Sequence, residues 1–131
     1  MGLGVIFDIS VPVSSVPSFI NKAIEFINKI TPDALTLVFG HTGDGNIHYC
    51  VMQPQEGGLA KFKSLKSALT PSVNDLAISF NDGFTAEHGV ALAKADELLR
   101  YRAETEIKVM RQIKMTLDPQ GICNPGKVFS K

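Results

Sequence analysis

Two short apolar runs of strand character, Ala34 to Phe39 and Ile47 to Met52, flank Gly40-His41-Thr42-Gly43-Asp44-Gly45-Asn46, and this arrangement constrains the fold more than any other segment. Strands this close in sequence pair antiparallel, because a parallel crossover needs roughly a dozen residues or more. Asp-Gly favours a two-residue type I′ turn. With Asp44-Gly45 as that turn, residue 43 pairs with 46, 42 with 47, and His41 with His48. The two imidazoles then face each other across the hairpin, with Cβ atoms about 4.5–5.5 Å apart. A Gly45-Asn46 turn would set His48 opposite Gly43 and part them, so the register decides. Alternation puts Leu35, Leu37 and Phe39 on the face of His41, and Cys50 and Met52 on the face of His48.

The other elements build around this hairpin. Leu3 to Val11 alternates as a strand and begins almost at Met1, so the chain reads as cut from something longer or as a compact gene product. Pro17, behind the caps Ser14 and Ser15, opens a helix whose apolar face is Ile20, Ala23, Ile24, Ile27 and Ile30, and Thr31-Pro32 ends it. Pro54 to Gly58 reads as a loop, Leu59 to Leu69 as a helix, and Pro71 to about Ile78 as a second helical piece. Phe84 to Glu87 is a short strand candidate, with a helix from Gly89 to Leu99. A final helix carries Leu99, Ala103, Ile107, Met110, Ile113 and Leu117 on one face until Asp118-Pro119, and Gly121 to Lys127 is a turn-rich tail. The order β-α-β-β-α-β-α predicts a single α+β domain over residues 1–131: an antiparallel sheet with helices packed on one face and ferredoxin-like elements.

Composition narrows the function classes. The 131 residues are enough to bury roughly two-thirds of the unfolded surface in one domain. Thirteen basic residues balance thirteen acidic ones, which argues against nucleic acid as a partner. No apolar run approaches the ~18 residues of a membrane span. Two cysteines, Cys50 and Cys123, make no disulfide scaffold and suit a reducing compartment, with the cytoplasm as the expected location.

Two imidazoles at hairpin separation can grip one ion, since each Zn–N bond needs about 2.0–2.1 Å. The plainer reading is a pair of histidines that merely hydrogen-bond. Glu87, in Thr85-Ala86-Glu87-His88-Gly89, is the third ligand candidate, and alternation would turn Glu87 and His88 to different sides, one toward metal and one toward substrate. Two histidines, one carboxylate and an open position are the pattern of a catalytic zinc site, although Glu87 also suits a helix N-terminus. Cys50 is more often a buried small hydrophobe, Cys123 has no nearby base, and Lys61, Lys63 and Lys66 form a solvated face. Gly43-Asp44-Gly45 lacks the strand-loop-helix context of a phosphate cradle.

Together these segments resemble a known family. Gly40-His41-Thr42-Gly43-Asp44-Gly45-Asn46-Ile47-His48, Ala86-Glu87-His88-Gly89, the tail Leu117-Asp118-Pro119-Gln120-Gly121-Ile122-Cys123-Asn124-Pro125-Gly126-Lys127 and the opening Asp8-Ile9-Ser10-Val11-Pro12 resemble the C-terminal domain of FAD-linked oxidases. That group includes flavin-dependent D-lactate dehydrogenases, the glycolate oxidase flavin subunit and D-2-hydroxyglutarate dehydrogenase. The resemblance implies a cap domain that covers a flavin held by a separate FAD-binding domain, its partner. It implies His41, His48 and Glu87 as ligands of a divalent metal, zinc first, and His88 as the base. It also implies that His88 and Cys50 contact a small 2-hydroxy acid and that Asn124 approaches the FAD.

Three departures shape the expected substrate. Cys50 stands where 2-hydroxyglutarate-type members carry an asparagine, and Ile6 where they tend to carry a lysine, which argues against a dicarboxylate. Ala91 replaces a common glycine, expected only to tighten a helix start. The isolated chain is expected to be inactive and, with apolar surface left uncovered, to form homo-oligomers. The rival readings are a stand-alone metal-binding or interaction module and a metal-dependent hydrolase.

Overall fold

The computed structural model describes residues 4–52, 58–81 and 83–129. They fall into two compact units, Met1–His88 and Gly89–Lys131.

The first unit is built on three strands, β1 (Gly4–Ser10), β2 (Leu35–Phe39) and β3 (Asn46–Met52), ordered β1-β3-β2. Both outer strands run antiparallel to β3. One sheet face carries Val5, Phe7, Ile9, Ile47, Tyr49 and Val51 into the core. Two helices cover it, α1 (Val16–Ile30) and α2 (Gly58–Ile78), so the α+β architecture with helices on one face is observed. Helix α1 buries Val16, Phe19, Ala23 and Ile27, while Ile24 and Ile30 sit at the edge of that stripe and stay partly exposed. Ser15 occupies its cap position without a side-chain bond.

Three sequence expectations are corrected here. Pro71 does not split α2, because Leu69, Val73 and Ala77 are buried on one continuous stripe across it. That packing outweighs one hydrogen bond lost at the imide nitrogen. Gly58, expected to close a loop, begins this helix, and the rest of that expected loop falls outside the described residues. Phe84 to Glu87 forms no strand. The pairing that would have begun it is one reciprocal pair of hydrogen bonds between Ser10 and Gly83, at 3.0 and 3.2 Å. Beyond it the amides of Ala86, Glu87 and His88 are taken by the carboxylate of Asp8 instead of a neighbouring strand.

The hairpin register also differs. Phe39, not His41, stands opposite His48, and Leu37 stands opposite Cys50. The connection is longer than two residues: Thr42–Asp44 make one turn of 3-10 helix, closed by Gly45 in the left-handed region (φ 74). The turn is pinned against the first strand's end, with Val11 N–H donating to Gly45 O at 3.0 Å. A Cβ on Gly45 would lie 2.0 Å from the Val11 carbonyl oxygen, so glycine is required there. The two-residue shift keeps side-chain parity, so every side chain stays on its expected face.

The second unit contains α3 (Ala95–Tyr101) and α4 (Glu104–Leu117). The expected helix from Gly89 starts only at Ala95, and the expected continuous run to Leu117 breaks at Arg102-Ala103, which are extended. The Glu106 carboxylate accepts from Ala103 N–H at 3.0 Å and so starts a new helix. Ala91 is not inside a helix start: its φ is 45°, the left-handed conformation that suits the glycine it replaces. Asp118 ends α4, and its carboxylate accepts the N–H groups of Ile122 and Cys123, each at 3.0 Å, which shapes the tail.

Candidate metal centre

The sheet face away from the helices is arranged in rows across the three strands. Gly4, Met52 and Leu35 form one row, Ile6, Cys50 and Leu37 the next, and Asp8, His48 and Phe39 the third. Ile6, Leu35, Leu37 and Phe39 are exposed, so this face is apolar and open. The polar residues collect at its third row.

Asp8 is the organising group. It lies in the middle of an apolar strand and is 1% exposed. A buried carboxylate survives only when donors surround it. Its Oδ2 accepts from Thr85 Oγ1 (3.1 Å), Ala86 N–H (3.1 Å) and His88 N–H (2.9 Å), and Glu87 N–H lies 3.3 Å from both oxygens. These bonds bend the Thr85–His88 segment round the carboxylate. The bend brings Glu87 and His88 to the same side, where strand alternation would have parted them.

The Glu87 Oε1 is 2.8 Å from His48 Nε2 and 3.8 Å from His88 Nε2, while Oε2 is 3.7 Å from His41 Nδ1. The His48 and His88 rings stack, 5.0 Å between centroids and 14° from parallel. Phe39 packs against His48 with centroids 5.4 Å apart. His41, in the loop, brings its ring edge-on to His48 at 6.5 Å. Donor atoms around a tetrahedral ion with bonds of 2.0–2.1 Å are about 3.4 Å apart. The separations here bracket that value, and one atom each from Asp8, His48, Glu87 and His88 fall within 4.8 Å of one another. Nitrogen and carboxylate oxygen of this kind suit a divalent cation.

Of the residues expected from sequence, His41, His48, Glu87 and His88 are therefore brought together. His41 is the outermost, its side chain 66% exposed, and it stands outside the tightest four-residue group. Cys50 is buried one row away, its thiol donating to Met52 Sδ at 3.5 Å. Asn124 belongs to the second unit, in the left-handed region (φ 47) on the wall of a ~400 Å³ cavity with Met110, Ile113 and Phe129. Asp8 was missed as a site residue. The signal was present: one charged residue in the middle of an otherwise apolar strand.

Residues 2–128 match the family of FAD linked oxidases, C-terminal domain. A D-2-hydroxyglutarate dehydrogenase of Stutzerimonas stutzeri is 36% identical over 94% of this chain and 26% of its own length. The mitochondrial cytochrome-type D-lactate dehydrogenase of Kluyveromyces lactis is 34% identical over 93% of this chain and 20% of its own. A D-lactate dehydrogenase of Archaeoglobus fulgidus is 32% identical over 96% of this chain and 27% of its own. The chain thus spans about a quarter of the length of these relatives. Matched across nearly all its residues, it belongs to the C-terminal domain family of the FAD-linked oxidases.

Proposed function

We propose that this chain is the substrate-site domain of an FAD-dependent dehydrogenase that oxidises a small D-2-hydroxy acid, of the lactate or glycolate kind, to the 2-oxo acid. One observation carries the reading: three histidines and Glu87 converge at one end of an open apolar sheet face. Such a face suits a flat partner such as a flavin, and the names of the relatives supply the class of substrate. FAD, held by a region that this chain does not span, would supply the hydride acceptor.

His41, His48 and Glu87 would hold a divalent ion, zinc first among those their chemistry accepts. When bound, such an ion polarises a hydroxyl and eases its deprotonation. His88, whose side chain is 55% exposed, is reachable by a substrate and would accept the hydroxyl proton at Nε2. Phe39, packed against the His48 ring, would shield one side of it once the open face is covered. The neighbouring row Ile6–Cys50–Leu37 offers no cation to a second carboxylate, which favours a monocarboxylic acid. Asn124 would approach the flavin in the assembled enzyme.

A chimaera tests this. The segment of the Stutzerimonas stutzeri dehydrogenase that matches this chain is replaced by the chain, and dye reduction by the FAD-loaded protein is followed. D-Lactate or glycolate should be oxidised in preference to D-2-hydroxyglutarate, and His88→Gln should lower kcat by about 10²–10⁴. Preference for the dicarboxylate would overturn the substrate class. Ester hydrolysis by the chain alone, without flavin, would favour the hydrolase reading.

A further inference from the structure

The second unit is basic within a neutral chain. It holds eight lysines and arginines against five aspartates and glutamates. The ~400 Å³ cavity between α4 and the tail has an apolar floor of Met110, Ile113 and Phe129. A cavity of ~290 Å³ adjoins it, sharing Lys114, Asn124, Lys127 and Phe129 and adding Arg111. No carboxylate lines either of them. Of the three cations, Lys114 is neutralised by Asp118 and also donates to Cys123 O at 2.6 Å. No acid pairs with Lys127 or Arg111 among the described residues. Arg111 lies over the Phe129 ring, its guanidinium 5.3 Å from the centroid. A guanidinium stacked on a ring keeps its N–H edge free for a planar acceptor.

The backbone of the same wall is strained. Asn124 (φ 47) and Val128 (φ 67) both lie in the left-handed region, which a β-branched residue such as Val128 rarely adopts. Val128 is held there by its N–H, which donates to Ala91 O at 2.7 Å. Such conformations persist only where the surroundings enforce them, and they cluster at ligand clamps.

We propose that this cavity is a binding site for a small organic anion with an apolar body, an aryl or short-chain alkyl carboxylate. Its body would rest on Met110, Ile113 and Phe129, and its carboxylate would lie between Lys127 and Arg111. A volume of this order suits a ligand of that size, and pockets of this kind combine apolar walls with a few polar groups that orient the ligand. The apolar walls lower the local dielectric, which strengthens the pull of the two cations on an anion. The site lies wholly in the second unit, so it stands or falls independently of the metal reading.

Amide spectra of the intact ¹⁵N-labelled chain test it, with 2-naphthoate as probe and 2-naphthamide as its neutral counterpart. Naphthoate should saturably shift the amides of Asn124, Gly126, Lys127 and Phe129, and bind about fivefold or more tightly than naphthamide. Lys127→Gln should erase most of that preference without moving the melting temperature. Equal affinity of the two probes in the wild-type chain would reduce the cavity to an unspecific apolar surface and overturn the proposal. Shifts confined to Leu35–Phe39 on the open sheet face would do the same. Displacement of naphthoate from the tail amides by FAD would also overturn it, because the cavity would then be a flavin contact and not a separate anion site.

Discussion

Asp8 and Asp118 do the same thing in the two units. Each is buried, and each gathers the N–H groups of a loop that lacks regular structure, residues 86–88 for Asp8 and residues 122–123 for Asp118. Lys114 also bonds Asp118 and holds its carboxyl below the usual carboxylate range, so the stabilisation it gives is lost as pH falls through that lowered value. Tyr49 acts at the opposite end of the scale. Its side chain is fully buried, and burial pushes the phenol from 10.0 up to about 12. Below pH ~10 both folded and unfolded chains keep the proton, and stability is unaffected. As pH rises from about 10 towards 12, the unfolded chain gives up a proton that the fold must hold, and up to roughly 2–3 kcal/mol of stability is lost across that window. Thermal unfolding followed between about pH 9 and 12 should show this loss, and Tyr49→Phe should flatten it.

The hairpin is the element on which the site depends, and its register has a direct chemical test. Leu37 and Cys50 are cross-strand partners, and the pair lies on the open face. Leu37→Cys should therefore oxidise to a disulfide with Cys50, since directly opposed strand residues have Cα atoms about 4.5–5.5 Å apart, inside the range a disulfide spans. The register expected from a two-residue turn would pair Phe39 with Cys50 instead, so Phe39→Cys is the control and should stay reduced. Peptide mapping under non-reducing conditions reads both outcomes. This is also where the sequence was legible and where it was not. Alternation placed Leu35, Leu37, Phe39, His48 and Cys50 on one face, and parity kept them there although the register moved by two. The turn itself was not legible, because the contact between Gly45 and Val11 joins residues far apart in sequence. The same holds for the strand expected at Phe84–Glu87, whose amides answer to a carboxylate 78 to 80 residues earlier. Pro71 misled for a third reason: local propensity argued for a break, and tertiary packing of Leu69, Val73 and Ala77 overrode it.

At the scale of the molecule, the first unit is covered by helices on one side of its sheet and bare on the other. Ile6, Leu35 and Phe39 are 60%, 63% and 56% exposed, and they surround Leu37 and the buried Cys50. Contiguous apolar surface of this kind marks a surface that another molecule or domain covers. No helix among the described residues is long and apolar enough to cross a membrane. Strand β2 is also an outer strand of the sheet, and an edge beside an apolar face invites pairing between copies. The chain on its own should therefore self-associate reversibly, with a sedimentation coefficient that rises with concentration. Leu35→Lys combined with Leu37→Lys should shift it to monomer, because charge on the edge strand opposes both face and edge contacts. The melting temperature should change little, since neither side chain belongs to the core. A chain that stays monomeric at high concentration would contradict the expectation. If the double variant also lost its fold, the face would have to be contributing to stability from within the unit. The same substitutions carry a second consequence under the proposed function: in the chimaera they should weaken closure over the flavin while leaving zinc binding at His48 and Glu87 intact, which separates the covering role of the sheet from the chemistry at its end.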